Sequence, residues 1–272
     1  VGKALEVING RVTAPGATLT AWIMAAGDSL TVRNAPLDSK IHLLQAWADN
    51  QAAGTIRVRS PRLHDNVEAI RLGIVLSEVR PLLPRRFEQM LVPQDVLTVQ
   101  QSGSAVAGDI ENGTLMLFYA DLPGVSARLI DATTLLANMV NIMTIENTLA
   151  LGTLGGYSGE EAIDAEFDQL KANTDYALMG YQVSAECACV GWRGSDTGNL
   201  RVGGPGDEVQ KDVTGSWFYD LSREYGIPLI PVFNSANKGA ILIDGVQDEN
   251  GVDVTVTSIF AQLKAGAAPL AT

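Results

Sequence analysis

Two histidines, two cysteines and several clusters of acid and arginine bound the chemistry this chain can do. His42 lies in the strand-like stretch KIHLLQAW, and His64 in the polar stretch SPRLHDNVE. A nucleophile–His–Asp relay needs a histidine, and His64 next to Asp65 is the candidate. No Gly-x-Ser-x-Gly elbow, HExxH or Cys-x-x-Cys accompanies it, so both histidines read as structural or surface residues. Cys187 and Cys189 are spaced Cys-Ala-Cys. In a strand they share a face about 6.5–7 Å apart, too far for an easy disulfide, and they read as buried thiols.

Carboxylates offer a second chemistry. Glycoside-type acid/base work needs two of them facing across a cleft. Glu160, Asp164 and Asp168 fall at i, i+4 spacing on one helical face, the pattern of a solvated surface. The acidic turn Gln247–Asp253 (QDENGVD) has calcium-binding residue types but lacks the alternating ligands of an EF-hand loop, so it reads as an ordinary turn. Too few histidines are present for paired metal sites inside two barrels, and no metal or cofactor is expected. Arg57, Arg59, Arg62, Arg71, Arg80, Arg85 and Arg86 form a basic segment ending in RPLLPRRF. It reads as paired with carboxylates at subunit contacts or as facing an anionic surface such as lipid headgroups, with Arg80, Arg85 and Arg86 the candidate subunit or membrane contacts. Trp22, Trp47, Trp192 and Trp217 read as core; exposed, they would make a sugar platform.

The elements that must position these residues come from 272 residues, 46% hydrophobic, with net charge −12 and pI near 4.6. Phosphate backbones repel such a surface, so direct nucleic-acid binding is not expected. VGKALEVINGRV lacks the apolar run of a signal peptide. The most apolar stretch, Leu135–Leu151, is interrupted by Asn138, Asn141, Glu146 and Asn147, too polar for an isolated membrane span. Its Leu135, Leu136, Met139, Ile142, Met143 and Leu149 predict one face of a packing helix.

Internal similarity organises the rest. GTIRVRSP (54–61) resembles GNLRVGGP (198–205), each preceded by a tryptophan, Trp47 or Trp192. LVP (91–93) and LIP (229–231) share the offset of 138 found between the two ENG triplets, 111–113 and 249–251. The glycines of 198–206 are not shared, so this loop reads as a strand stopped by proline rather than a phosphate cradle. Short strand-like segments punctuated by Gly, Pro, Asn and Asp recur throughout both units, as in sandwiches and barrels. Asn112-Gly113 and Asn250-Gly251 predict hairpin turns. A helix capped by Thr214 or Ser216 and ended by Gly226 is expected in TGSWFYDLSREYG, and a less distinct one within 64–90. Ser158-Gly-Glu-Glu161 predicts a capping box opening a helix.

The fold expected is mainly β: two tandem jelly-roll β-sandwiches from an internal duplication, joined by a helical connector. The boundaries are an N-terminal arm at 1–17, a first jelly roll at 18–130, the connector at 131–173, a second jelly roll at 174–268 and a tail at 269–272. The alternative is one mixed α+β fold with a chance repeat. In duplication, strand pattern and size the chain resembles the double jelly-roll major capsid proteins of tailless icosahedral viruses, bacteriophages among them. That resemblance implies no enzymatic activity. It implies a homotrimer forming a pseudo-hexagonal capsomer in an icosahedral virion shell, made in the host cytoplasm. Partners would be neighbouring capsomers, other virion proteins and, in many such viruses, an internal membrane. A secreted hydrolase or glycan-binding protein on a double β-sandwich is the alternative function, and a capsid or tail component of another fold a third.

Overall fold

The structure, a computed structural model, describes residues 2–62, 70–75, 79–83, 89–150, 154–163, 170–207, 209–247 and 253–268. It is mainly β, and all strand pairings among the described residues are antiparallel. The first ten strands are β1 (Gly2–Thr13), β2 (Thr20–Ala21), β3 (Ile23–Met24), β4 (Ile41–Asp49), β5 (Gly54–Arg59), β6 (Ile70–Ile74), β7 (Arg80–Pro81), β8 (Gln89–Leu91), β9 (Thr98–Ser102) and β10 (Ile110–Leu122). They form two sheets, one ordered β3-β1-β10-β4-β7 with β8 also on β4, the other β2-β9-β5-β6.

After β11 (Leu129–Ile130) and the short helix α1 (Ala132–Asn138) come β12 (Met139–Leu149), β13 (Glu161–Ala162), β14 (Asp175–Val183), β15 (Cys187–Arg193) and β16 (Val202–Gly206). Helices α2 (Lys211–Thr214) and α3 (Trp217–Tyr225) lead to β17 (Ile230–Asn234), a 3₁₀ turn, β18 (Leu242–Val246) and β19 (Val254–Leu263). Their sheets run β13-β18-β15-β16 and β11-β17-β14-β19-β12.

The strand order repeats. β1-β10-β4-β8 has the same succession as β12-β19-β14-β17, and β2-β9-β5-β6 the same as β13-β18-β15-β16. In that order LVP begins at the end of β8 and LIP runs into the start of β17, so the two triplets lie on corresponding strands but at opposite ends of them. Trp47 and Trp192 do not lie on corresponding strands: β4 corresponds to β14, and β15 to β5. The similarity of 54–61 to 198–205 therefore joins unlike strands.

The sheet built on β1, β10 and β4 is buried on both faces. Leu115, Leu117 and Tyr119 of β10 pack with Ile8, Leu43 and Ala46 toward the β2-β9-β5-β6 sheet. The alternate residues Met116 and Phe118 join Leu5, Val7 and Trp47 in a second cluster with Cys187, Val190, Trp192, Trp217 and Phe260. Double burial is why IHLLQAWAD and TLMLFYADL read as nearly continuous apolar runs rather than alternating ones. The apolar core therefore continues from the strands before residue 123 into those after 128.

Several expectations are corrected here. Residues 1–17 are largely β1, paired with β10 from Gly2 to Thr13, rather than an arm. Of the described residues of the expected packing helix only Leu135–Asn138 are helical, as the end of α1, which is capped by Asp131, whose side chain accepts the Thr134 N–H at 2.7 Å. From Met139 the chain is a strand paired with β19, because Val140, Ile142, Thr144, Ile145 and Thr148 are β-branched and prefer the pleated surface. The connector is thus not helical over 139–149. Residues 161–162 form a strand where the capping box predicts a helix, and Ser158 instead exchanges hydrogen bonds with Gly245. Within 64–90, Ile70–Ile74 is a strand. Asn112-Gly113 lies inside β10, not in a turn. Gly113 faces Gly10 across the ladder, and the Trp22 indole lies over both: a Cβ at Gly10 would stand 2.5 Å from Trp22 Cε3. Only glycine leaves that seat open. Asn112 is buried, so the Asn-Gly-Thr sequence is not an accessible glycosylation site. Asn250-Gly251 lies outside the described residues. Helix α3 follows Ser216, whose hydroxyl donates to Asp220 instead of capping a backbone N–H, and ends at Gly226 with φ +68°, as expected.

Candidate functional site

Where the β1 sheet meets the β13-β18-β15-β16 sheet, the apolar contact gives way to a seam of charge. Its centre is Arg201, just before β16. Arg201 Nε and Nη2 bind Asp244 of β18 at 2.9 and 2.5 Å, and its guanidinium lies 3.5 Å above the Tyr157 ring. The fork has room because Gly191 stands opposite Asp244 in the ladder; a Cβ there would meet the Arg201 stem at 2.6 Å.

From Tyr157 the seam crosses to the first sheet. The Tyr157 hydroxyl and the Asn9 backbone N–H both donate to Asp28 Oδ2 at 2.7 Å, and Arg201 Nη1 is 3.7 Å from the other oxygen. The Asn9 amide donates to the Tyr157 hydroxyl and accepts from Thr114 of β10. Beside it, Glu6 takes the Arg33 guanidinium at 2.9 and 2.5 Å and the Tyr119 hydroxyl at 3.2 Å. Glu160 pairs with Arg193. A cleft of about 100 Å³ opens here, lined by Glu6, Asp28, Arg33, Arg193, Asn199 and Arg201.

Burial raises the Asp28 carboxyl above its ordinary range, against the lowering effect of the Asn9 and Tyr157 hydrogen bonds. Burial likewise raises Asp244, although Arg201 opposes it. Burial would lower Arg201, but its bond to Asp244 and the electrostatic pull of Tyr157, Asp244 and Asp28 together outweigh that and hold the guanidinium above its usual value. A carboxyl held up by burial is the property of a general acid. Here, however, each carboxylate is already committed: Glu6 to Arg33, Asp244 to Arg201, Glu160 to Arg193, and Asp28 to a tyrosine and a backbone N–H. Such a network adds little net stability for its desolvation, and its attested use is to specify how elements meet.

A raised folded-state carboxyl binds its proton more readily than the unfolded chain does. Its share of stability is present at low pH and falls as pH rises from the unfolded value through the folded one. Asp28→Asn keeps the oxygen that accepts from Asn9 and Tyr157. It is expected to leave the fold intact and to flatten the fall in melting temperature as pH rises above the ordinary carboxylate value of about 4; thermal melts at a series of pH values check it.

The other sequence candidates lie elsewhere. His42 is buried on β4, 6.2 Å from the Phe118 ring, away from the seam. His64, Asp164, Asp168, Arg85 and Arg86 lie outside the described residues. Arg80 opposes Ala48 in the β4–β7 ladder. Of the acidic turn 247–253, residues 248–252 lie outside. Cys187 and Cys189 are buried on β15, and burial pushes the Cys189 thiol up, away from the reactive thiolate. All four tryptophans are buried, which removes them as a sugar platform. The glycines of 198–206 answer to packing: Gly203 and Gly204 lie against β15, Tyr181 and Trp217, and Pro205 sits in β16, an edge strand where a missing N–H is tolerated. Among the described residues no three His, Cys, Asp or Glu side chains gather as a metal-ligand set, and no helix is long and apolar enough to cross a membrane.

Sequence reasoning missed the seam. Asp28, Tyr157, Arg201 and Asp244 are far apart along the chain and match no spacing motif. The one available signal was Arg201 and Asp244 interrupting strand-like stretches.

No protein-family model and no curated protein sequence matches the chain. Among solved structures it is similar to the PBSX exported protein XepA, at 10% identity and TM-score 0.28 over 94% of this chain and 86% of that one. It is also similar to the major capsid protein P2 of bacteriophage PM2, at 8% and 0.22 over 97% and 99%. PNGase F, a glycosylasparaginase from Flavobacterium meningosepticum, stands at 11% and 0.23 over 94% and 96%. Likenesses of this depth assign neither a family nor an activity.

Proposed function

We propose that the chain is a structural capsid protein built from two jelly rolls that arose by duplication, with strands of 2–122 in one and of 139–263 in the other. The observation that carries this reading is the repeated strand order, in which eight strands of each half follow one another through two sheets in the same succession. The matching pairing of four strands in each of two sheets supports a duplication over a chance repeat in a mixed fold. Two like units in one chain let a threefold assembly present six similar faces to its neighbours. The halves share one apolar core, which suits a rigid building block. In this reading the protein acts in the virion, with copies of itself and other shell proteins as partners. Arg80, Arg85 and Arg86 belong to its subunit or membrane contacts.

Light scattering of the purified chain is expected to give about three times 28.8 kDa, or larger shells visible by electron microscopy. A monomer that persists across protein and salt concentration overturns the proposal.

The cleft at Asp28 favours a second reading, a hydrolase in which that raised carboxyl is the general acid. It requires turnover in a glycan or amide hydrolysis screen that Asp28→Asn abolishes without loss of fold.

A further inference from the structure

β12 is the border strand of the sheet β11-β17-β14-β19-β12 and pairs with β19 from Met139 to Leu149. In an antiparallel pair every second residue turns its N–H and C=O away from the neighbour, so a border strand presents a row of them to the outside. In the corresponding strand of the first half, β1, that row is met from within the chain. β3 pairs with Gly10 and Arg11, the Ala25 N–H donates to the Asn9 carbonyl at 3.0 Å, and the Val7 N–H to the Arg201 carbonyl at 2.9 Å. Among the described residues only β19 bonds to the backbone of 141–145. Along that edge Val140 and Ile142 are 49% and 59% exposed, and Thr144 is exposed on the same face as Ile142. Border strands are normally blunted by lysine, proline or a bulge. β12 has a bulge at its start, between Met139 and Asn141, and then runs regularly through 141–145 with neither a charge nor a proline.

We propose that two copies of the chain pair antiparallel along this edge, about a twofold axis at Met143, and so join two five-stranded sheets into one. The axis brings 141–145 of each copy together and sets Ile142 opposite the partner's Thr144. It places the two Ile142 side chains diagonally across the seam, where long side chains still reach each other, and holds the two Glu146 carboxylates apart beyond its ends. Charge selects a second copy and this place on it. With 31 Asp and Glu against 19 Lys and Arg, two copies repel over most of their surface, and they approach with least repulsion where 132–145 carries no charged side chain. A pairing this short buries less than the roughly 1,200 Å² of a standard stable complex, so it holds weakly between free chains and firmly where an assembly repeats it. The contact goes beyond the capsid reading, which calls for a threefold axis; in a shell it links neighbouring capsomers.

The test follows amide hydrogen exchange of the full chain by mass spectrometry at about 5 and 500 μM, on either side of a weak association, with light scattering of the same samples. Exchange within 141–145 is expected to slow by about tenfold at the higher concentration. Ile142→Lys and Ile142→Glu each set like charges diagonally across the axis; alone, each is expected to lose the slowing, and an equimolar mixture of the two to regain it. Circular dichroism and melting temperature check the fold of each, and Thr144→Lys with Thr144→Glu replaces a pair that does not fold. A wild-type chain whose exchange in 141–145 is indifferent to concentration overturns the pairing, and trimers or shells in those samples leave the capsid reading standing. Folded single variants that slow as the wild type does, or a mixture that regains nothing, overturn it as well. Slowing that appears only when phosphatidylcholine vesicles are added overturns it in favour of a lipid surface. A wild-type chain that pairs at β12 and stops at dimers keeps this contact and overturns the capsid reading.

Discussion

Replacing Gly204 with alanine is expected to lower stability by about 3 kcal/mol or more, a combination of overpacking and broken hydrogen bonds. An added Cβ would stand 2.6 Å from Trp217 Nε1 and closer still to the Tyr181 hydroxyl. Neither neighbour can move freely. Both side chains are buried, Tyr181 donates to the Pro205 carbonyl at 2.7 Å, and Trp217 donates to the Gly203 carbonyl at 3.2 Å. Any shift that accommodates the methyl group disturbs the tilted ring contact that Tyr181 makes with Trp192 at 4.9 Å. Gly239→Ala is the control, since no atom lies within 4 Å of a Cβ there; its effect should stay within about 0.5 kcal/mol. Urea unfolding of the two variants checks both. A Gly204→Ala protein as stable as the control would mean that β16 does not lie against the two rings as described.

Trp47→Ala carries the other large effect, and it tests whether the two halves unfold together. The Trp47 side chain is fully buried, meets Trp217 edge-on at 5.9 Å, and donates its indole N–H to the Ala188 carbonyl of β15 at 2.9 Å. It belongs to a strand of the first half and most of its surroundings to the second. Truncation removes a large side chain and leaves a cavity and an unpaired carbonyl, an expected loss of about 3–5 kcal/mol. Because the core is shared, the whole chain should melt earlier in one transition that coincides by circular dichroism and fluorescence. Separate transitions, with only one of them moved, would show that each half is stable by itself. Trp47→Phe, which fills most of the volume but cannot donate, should lie between.

Composition and strand punctuation were enough to read a mainly β chain, because Val, Ile, Thr and aromatic residues recur between turn residues. The ends of the two halves were harder. β1 and β12 each open a half and each pair with its last strand, a partner about a hundred residues away, and no local pattern announces a distant partner. Across α1 and β12 the apolar residues at 135, 136, 139, 142 and 143 fit one helical stripe, so for β12 periodicity favoured the wrong element and β-branching was the better guide. The Asn112-Gly113 pair misled for a tertiary reason: its glycine accommodates Trp22 rather than turning the chain. Of the seam, Glu160 was noticed for its spacing to Asp164 and Asp168, whereas its described partner is Arg193. Charge pairs formed between distant strands carry no signature along the chain.

The doubly buried sheet has a consequence for how the protein is made. When the first 122 residues have left the ribosome, their strands can close one face of that sheet over Ile8, Leu43 and Leu115. The other face, with Leu5, Val7, Trp47, Met116 and Phe118, still lacks the strands that will cover it. Synthesis proceeds at about 5–20 residues per second, so this apolar face waits several seconds in a crowded cell for the second half to arrive. The nascent chain is therefore most exposed to aggregation while the strands after residue 128 are still to be made, and a chaperone that shields one flat apolar sheet face would be its most useful companion.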